Sequence, residues 1–164
     1  MNKSKSVKIK DKAGFTGKLV IKTYRDGVLV RETKPMYNKI VSGSGGYGRN
    51  LVIRQLANDT TYGIAIASAG IGTGTTAPAD SDTGLETVVV QDVAVSNRSI
   101  SNDQVVIDVF MSNAVLTNGS YTEFGLFIST GASRRLFSRV IISPTYTKAT
   151  GEDSTFSYTI SLAG

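Results

Sequence analysis

Residues Tyr62 to Glu86 read YGIAIASAGIGTGTTAPADSDTGLE. An apolar, alternating segment runs into a long loop of small residues. A second apolar run, ETVVVQDVAVS from Glu86 to Ser96, leaves it. The loop carries Gly70, Gly72, Gly74, Pro78 and Gly84 among five threonines and serines. Glycine opens backbone conformations closed to other residues and proline lacks a donor, so neither prolongs a strand here. A hairpin needs only about two to five connecting residues; a loop this long is either functional or packed by its own side chains. Two β-type runs on either side of such a loop make this a β-rich chain.

Downstream, the period of two continues. Glu86 to Ser96 reads as a strand, followed by a turn at Asn97-Arg98-Ser99. In Gln104 to Met111, Val106, Asp108 and Phe110 alternate with Val105, Ile107 and Val109. Asn118-Gly119-Ser120 reads as a turn, Thr122 to Ser129 as a strand, and Thr130 to Ser133 as a turn. Arg135 to Ser143 reads as a strand that Pro144 stops, with a loop over 144–153. Thr155 to Leu162 is the clearest strand, with Phe156, Tyr158, Ile160 and Leu162 on one side. Short strands at roughly ten-residue intervals with turn signals between them favour an antiparallel sandwich or barrel.

Upstream, SVKIK from Ser6 to Lys10 alternates, and DKAGFTG interrupts it. KLVIKTY and VLVRET follow as strands around Arg25-Asp26-Gly27. Asp-Gly between alternating runs is a strong hairpin signal. Pro35 marks an exit from that ribbon. The stretch 42–48 is rich in Gly and Ser. Residues Tyr47 to Ala57 are the best helix candidate, with Tyr47, Leu51, Ile53 and Leu56 on one face, Ser44 as a cap, and Asn58 or Asp59 at the end. Glycines before a helix suggest a phosphate loop, but no Lys-Ser/Thr follows them.

The chain of 164 residues has the size of one domain. It contains no Cys, His or Trp. Disulfides, thiolate zinc sites, imidazole metal sites and Ser-His-Asp triads are therefore excluded. No apolar run approaches the roughly 18 residues of a membrane helix, and no apolar stretch of a signal peptide follows the basic start. The composition suits a binding or structural protein, and we expect no enzyme and no cofactor.

Charge is uneven. Residues 1–39 hold eleven Lys or Arg against three acids, a net +8, and the remainder is −3. Lys8, Lys10, Lys18, Lys22, Arg25, Arg31 and Lys34 are the candidate residues for docking on an acidic partner. The competing account is a solvated edge ribbon, where lysines block unwanted pairing. No aromatic platform for bases accompanies them, so nucleic acid is the weaker reading.

Several segments in order carry a resemblance. They are Asn38-Lys39-Ile40-Val41 running on to Leu56, Ile64 to Ala67, and Gly72 to Glu86 with GTGTTAP at its head. Glu123-Phe124-Gly125-Leu126-Phe127, Leu136-Phe137-Ser138-Arg139 and the alternating last strand complete the series. Over residues 16–164 the chain resembles a family of small virion structural proteins of tailed bacteriophages and prophages, through the order and spacing of these motifs. The resemblance implies a tail, baseplate, fibre-associated, neck or capsid-surface protein. It implies assembly in the host cytoplasm into the virion, other virion proteins as partners, and a homo-oligomer, with a trimer as the expected form. A receptor- or carbohydrate-binding module at a tail tip is the alternative, with a nucleic-acid-binding protein behind it.

Gly72, Thr73, Gly74, Thr75, Thr76 and Pro78 form a candidate inter-subunit loop. Glu123 is expected to pair with Arg139 or Arg135 one strand later, because opposite charges on neighbouring strands stabilise each other. Asp80 and Asp82, with Ser81 and Thr83, have two of the six or more oxygens Ca²⁺ requires, and a polar turn explains them better. Nothing in the sequence places Asp103, Asp108 and Glu123 together as glycosidase carboxylates. Tyr121, Tyr146 and Tyr158 are candidates for a sugar-binding surface, against the usual half-buried strand tyrosine. The expected architecture is mainly β: a jelly-roll-like antiparallel sandwich over 38–164 with a helix near 47–57, preceded by a basic β-ribbon arm over 1–37.

Overall fold

The computed structural model describes residues 14–163. The alternating segment at Ser6 to Lys10, with Lys8 and Lys10, lies outside them. The described chain is mainly β, with two antiparallel sheets packed face to face and one helix, α1 (Arg49–Leu56). One sheet has the order β2 (Val28–Glu32), β1 (Gly14–Arg25), β11 (Glu152–Ala163), β8 (Gln104–Met111), β7 (Asn97–Ser101), with the short β3 (Met36–Tyr37) also on β1. The other has the order β4 (Lys39–Ile40), β10 (Leu136–Lys148), β9 (Gly119–Phe127), β5 (Ser68–Gly72), β6 (Val88–Ala94).

Period-two patterning builds the core. Leu19, Ile21, Ile107, Val109, Phe156, Tyr158 and Ile160 point inward from the first sheet. Ala69, Ile71, Phe124, Leu126, Val140 and Ile142 meet them from the second. Phe124 and Phe156 stack across the interface with ring centroids 4.9 Å apart. Each such side chain contributes about 1.5–3 kcal/mol when fully buried.

The structure corrects several sequence expectations. Residues 14–37 are no separate arm: β1 pairs with β11 over its whole length, from Gly14–Ala163 to Arg25–Glu152, and its Leu19 and Ile21 are core residues. The Asp26-Gly27 hairpin is present, both residues having positive φ. β1 already begins at Gly14, inside the expected break. Asn97–Ser101 is an exposed strand, not a turn, and β9 begins at Gly119, where a turn was expected. Pro144 does not stop its strand. β10 passes through it, over a cis Ser143–Pro144 bond, where the pairing with β9 slips between Ile141 and Tyr146. The strand entering the long loop is Ser68–Gly72, later than the alternation at Ile64 to Ala67 suggested. In α1 only Leu51 is buried; Ile53 and Leu56 are 64% and 81% exposed. Gly48, not Ser44, precedes the helix, and no side chain caps it.

The second sheet is covered on its other face too. Successive residues of a strand point to opposite sides, so Glu123, Gly125 and Phe127 face away from the main core. A small second cluster of Val41, Phe127 and Leu136, flanked by Tyr47 and Leu85, lies there. Gly70 and Gly125 are opposite each other on β5 and β9. A Cβ on Gly125 would stand 2.9 Å from a Leu85 methyl, so the missing side chain is what lets the long loop lie flat on the sheet.

Candidate functional site

The loop between β5 and β6 closes over Glu123. This carboxylate is fully buried. Gly74 N–H and Thr87 N–H donate to its Oε1 at 3.0 and 2.7 Å, and Glu86 N–H donates to Oε2 at 3.0 Å. Arg139 Nε completes the set with a bond to Oε2 of 2.8 Å. The sequence expectation of a Glu123–Arg139 pair is met: Arg139 lies opposite Gly125, so it reaches Glu123 diagonally across the β9–β10 ladder. Arg139 then extends outward to the loop. Its two terminal nitrogens donate to Asp82 Oδ2 at 3.0 Å and Glu86 Oε2 at 3.2 Å. Burial alone would lower the Arg139 pKa. Its hydrogen bonds to Glu123 and Asp82, together with the attraction of those two carboxylates, outweigh that and raise it, so the guanidinium stays charged.

The outer turn of the loop is tied in the same manner. Thr76 donates to Glu86 through both its N–H and its hydroxyl, each at 2.8 Å. Asp80 sits between Lys39 at 3.4 Å and Arg49 at 3.1 Å, and its carbonyl accepts Ser42 N–H. Asp80 and Asp82 are thus bound to different cations of the chain. No group of three potential metal ligands occurs among the described residues. A cavity of about 400 Å³ remains beside the clasp, lined by Thr76, Ser81, Asp82, Thr83 and Glu86 among others.

The Thr76 bonds, backbone first, hold the Glu86 carboxyl below its ordinary value of 4.5. A depressed carboxylate pKa contributes stability that is present above the unfolded value and lost as pH falls through the folded one. The loop tip should therefore loosen on acidification below about 4.5. Amide exchange at Thr76 should accelerate relative to the core amides of β9. Equal acceleration of both would show that the loop opens only with global unfolding.

The other nominated residues are dispersed. Arg25 and Arg31, two of the seven docking candidates, both turn back onto Glu152 of the last strand at 3.2 and 3.5 Å. Arg31 also donates to the Thr147 carbonyl at 2.7 Å and lies over the Tyr146 ring. Lys22 is 4.0 Å from Glu32, and Lys34 is exposed. Lys18 is half-buried on the first sheet. Among the described residues of this group, no common cationic surface is assembled. Among the loop residues, Gly72 and Gly74 are buried against Glu123, while Thr73, Thr75 and Thr76 are exposed and Pro78 is half-buried. Tyr121, Tyr146 and Tyr158 are all buried, which overturns the tyrosine surface. Asp103, Asp108 and Glu123 are not brought together: Asp108 binds Asn97 and Ser157, and Asp103 sits at the β7–β8 turn.

Sequence reasoning missed Asp82 and Glu86 as partners of Arg139. It also missed a second buried cluster, where Lys148 Nζ donates to Asn113 Oδ1 at 2.8 Å near Glu152. Burial lowers the pKa of this lysine, and Glu152 and Asp153 oppose that. Comparison with protein-family models, curated proteins and solved structures gives no match for this chain.

Proposed function

We propose that the protein is a non-enzymatic structural component of a tailed-phage virion that acts through protein–protein contacts and self-association. One observation supports this most. The hairpin strand β2 stands at the end of its sheet, and its Val28, Leu29 and Val30 are 65%, 48% and 49% exposed. An edge that has no ladder partner among the described residues and bears aliphatic side chains is a template for strand addition by a partner. Arg25 and Arg31 share the single carboxylate of Glu152, so the docking surface here is aliphatic with a basic rim. The test is incorporation. Val28→Lys with Val30→Lys should leave a folded protein that no longer co-purifies with particles. Undiminished incorporation would remove β2 from the attachment surface, and absence of the wild-type protein from purified particles would overturn the virion reading. Truncation to residue 34 is a poor test, because it removes the interior strand β1.

The cavity beside Arg139 supports the second reading, a carbohydrate-binding module at a tail tip. Its hydroxyls and carboxylates, those of Thr76, Ser81, Thr83, Asp82 and Glu86, have the chemistry of a sugar subsite. Glycan-array binding that Thr83→Lys abolishes would favour it over the structural role.

A further inference from the structure

One end of the sandwich is open and apolar. Two cavities of about 320 and 260 Å³ lie there and share Phe15, Val105 and Ile160 as a common wall. Ile100 on β7 and Leu162 on β11 stand at their rim, 83% and 52% exposed, and Ile64 is 42% exposed on the facing side. β7 also ends its sheet, so its outer backbone edge has no ladder partner among the described residues. Contiguous apolar surface of this kind marks an interaction site.

The charges at the rim specify the occupant. Arg98 projects from the same side of β7 as Ile100, and Asp103 lies at the β7–β8 turn. Neither is in an ion pair among the described residues; the Arg98 guanidinium donates only to the Ile66 carbonyl. In a twofold contact, residue i meets residue j while j meets i. One cation and one anion flanking one apolar patch are what a self-complementary interface requires. We propose that this open end binds a second copy of the same chain about a twofold axis, with Ile100 and Leu162 in the apolar centre and Arg98 facing the partner copy's Asp103.

This inference rests on the self-association in the reading above, and it is tested by mass in solution. Sedimentation of the full chain should show a concentration-dependent dimer. Ile100→Lys should give a folded monomer. Arg98→Glu and Asp103→Lys should each weaken the dimer roughly tenfold, and the two together should restore it. The chain has no cysteine, so Ile100→Cys supplies a single thiol. Its labelling should be fast in dilute protein and fall as the dimer forms. A thiol already protected in the monomer would place the chain's own residues over the patch and overturn the proposal. A trimer, or a dimer indifferent to Ile100→Lys, would also overturn it. A wild-type chain that stays monomeric in solution but is found in purified particles overturns this interface and leaves the virion reading standing.

Discussion

Replacing Arg139 by leucine should lower the unfolding free energy by about 3–5 kcal/mol, the range for removing one partner of a buried ion pair. The Glu123 carboxylate would stay fully buried, held by the N–H groups of Gly74, Glu86 and Thr87 but without its cation. Asp82 and Glu86 would lose the same guanidinium, so the loop would lose its inner and outer anchors together. At roughly 2–4 °C per kcal/mol for a chain of this size, the thermal midpoint should fall by about 10 °C. Glu123→Leu should cost a similar amount for a different reason. It strands the buried Gly74 N–H and the part-buried N–H groups of Glu86 and Thr87, and a buried donor that loses its acceptor costs about 1–3 kcal/mol. The double variant should cost clearly less than the sum of the two, because the residues belong to one network. Arg134→Leu is the control: its pair with Asp92 is partly exposed and should contribute no more than about 1 kcal/mol. If Arg139→Leu unfolds within about 1 kcal/mol of wild type, the clasp is not what holds the loop down.

That pair was legible in the sequence for a simple reason. Glu123 and Arg139 lie on antiparallel strands that follow each other in the chain, joined over 128–135, so local alternation and one connection suffice to bring them close. Asp82 and Glu86 were not legible as partners. They reach Arg139 only because a glycine-rich loop folds back on the outer face of β9, and periodicity carries no information about such a return. The strands themselves followed from alternation, but their places did not. β1 reads as one half of a ribbon because its hairpin partner β2 follows directly after Asp26 and Gly27, while β11, its partner along its entire length, is at the other end of the chain. Arg25 and Arg31 accordingly looked like free cations, since Glu152 belongs to that same distant strand. Asn97-Arg98-Ser99 reads as a turn because it is polar, and an exposed edge strand such as β7 has a turn's composition. Pro144 was read as a stop because a proline cannot donate to a ladder, yet the slipped pairing at that point leaves no ladder bond for it to break.

The Gly/Ser-rich stretch 42–48 gives the other large expected effect. In sequence it has the look of a soft connection, and in the structure it is sewn to the start of β10. Val41 N–H donates to the Phe137 carbonyl, Gly48 N–H to the Leu136 carbonyl, and Arg49 N–H to the Val41 carbonyl, at 3.2, 3.1 and 2.8 Å. Gly48 has φ +46° and ψ −121°, a conformation L side chains rarely adopt. A Cβ added there would lie 1.9 Å from the Val41 carbonyl oxygen and 2.9 Å from that of Phe137. Both are backbone atoms already engaged in this joint, so no side-chain rotation relieves the clash. Gly48→Ala should therefore destabilise by about 4 kcal/mol or more, the level reached only by severe steric or buried-polar disruption. Gly63→Ala is the matched control, with open space around its Cβ and no positive φ, and it should be neutral or stabilising by up to about 1 kcal/mol. Denaturant unfolding of the two variants separates the cases. A Gly48→Ala protein as stable as Gly63→Ala would mean that this joint yields, and that α1 is hinged to the sheet instead of fixed to it.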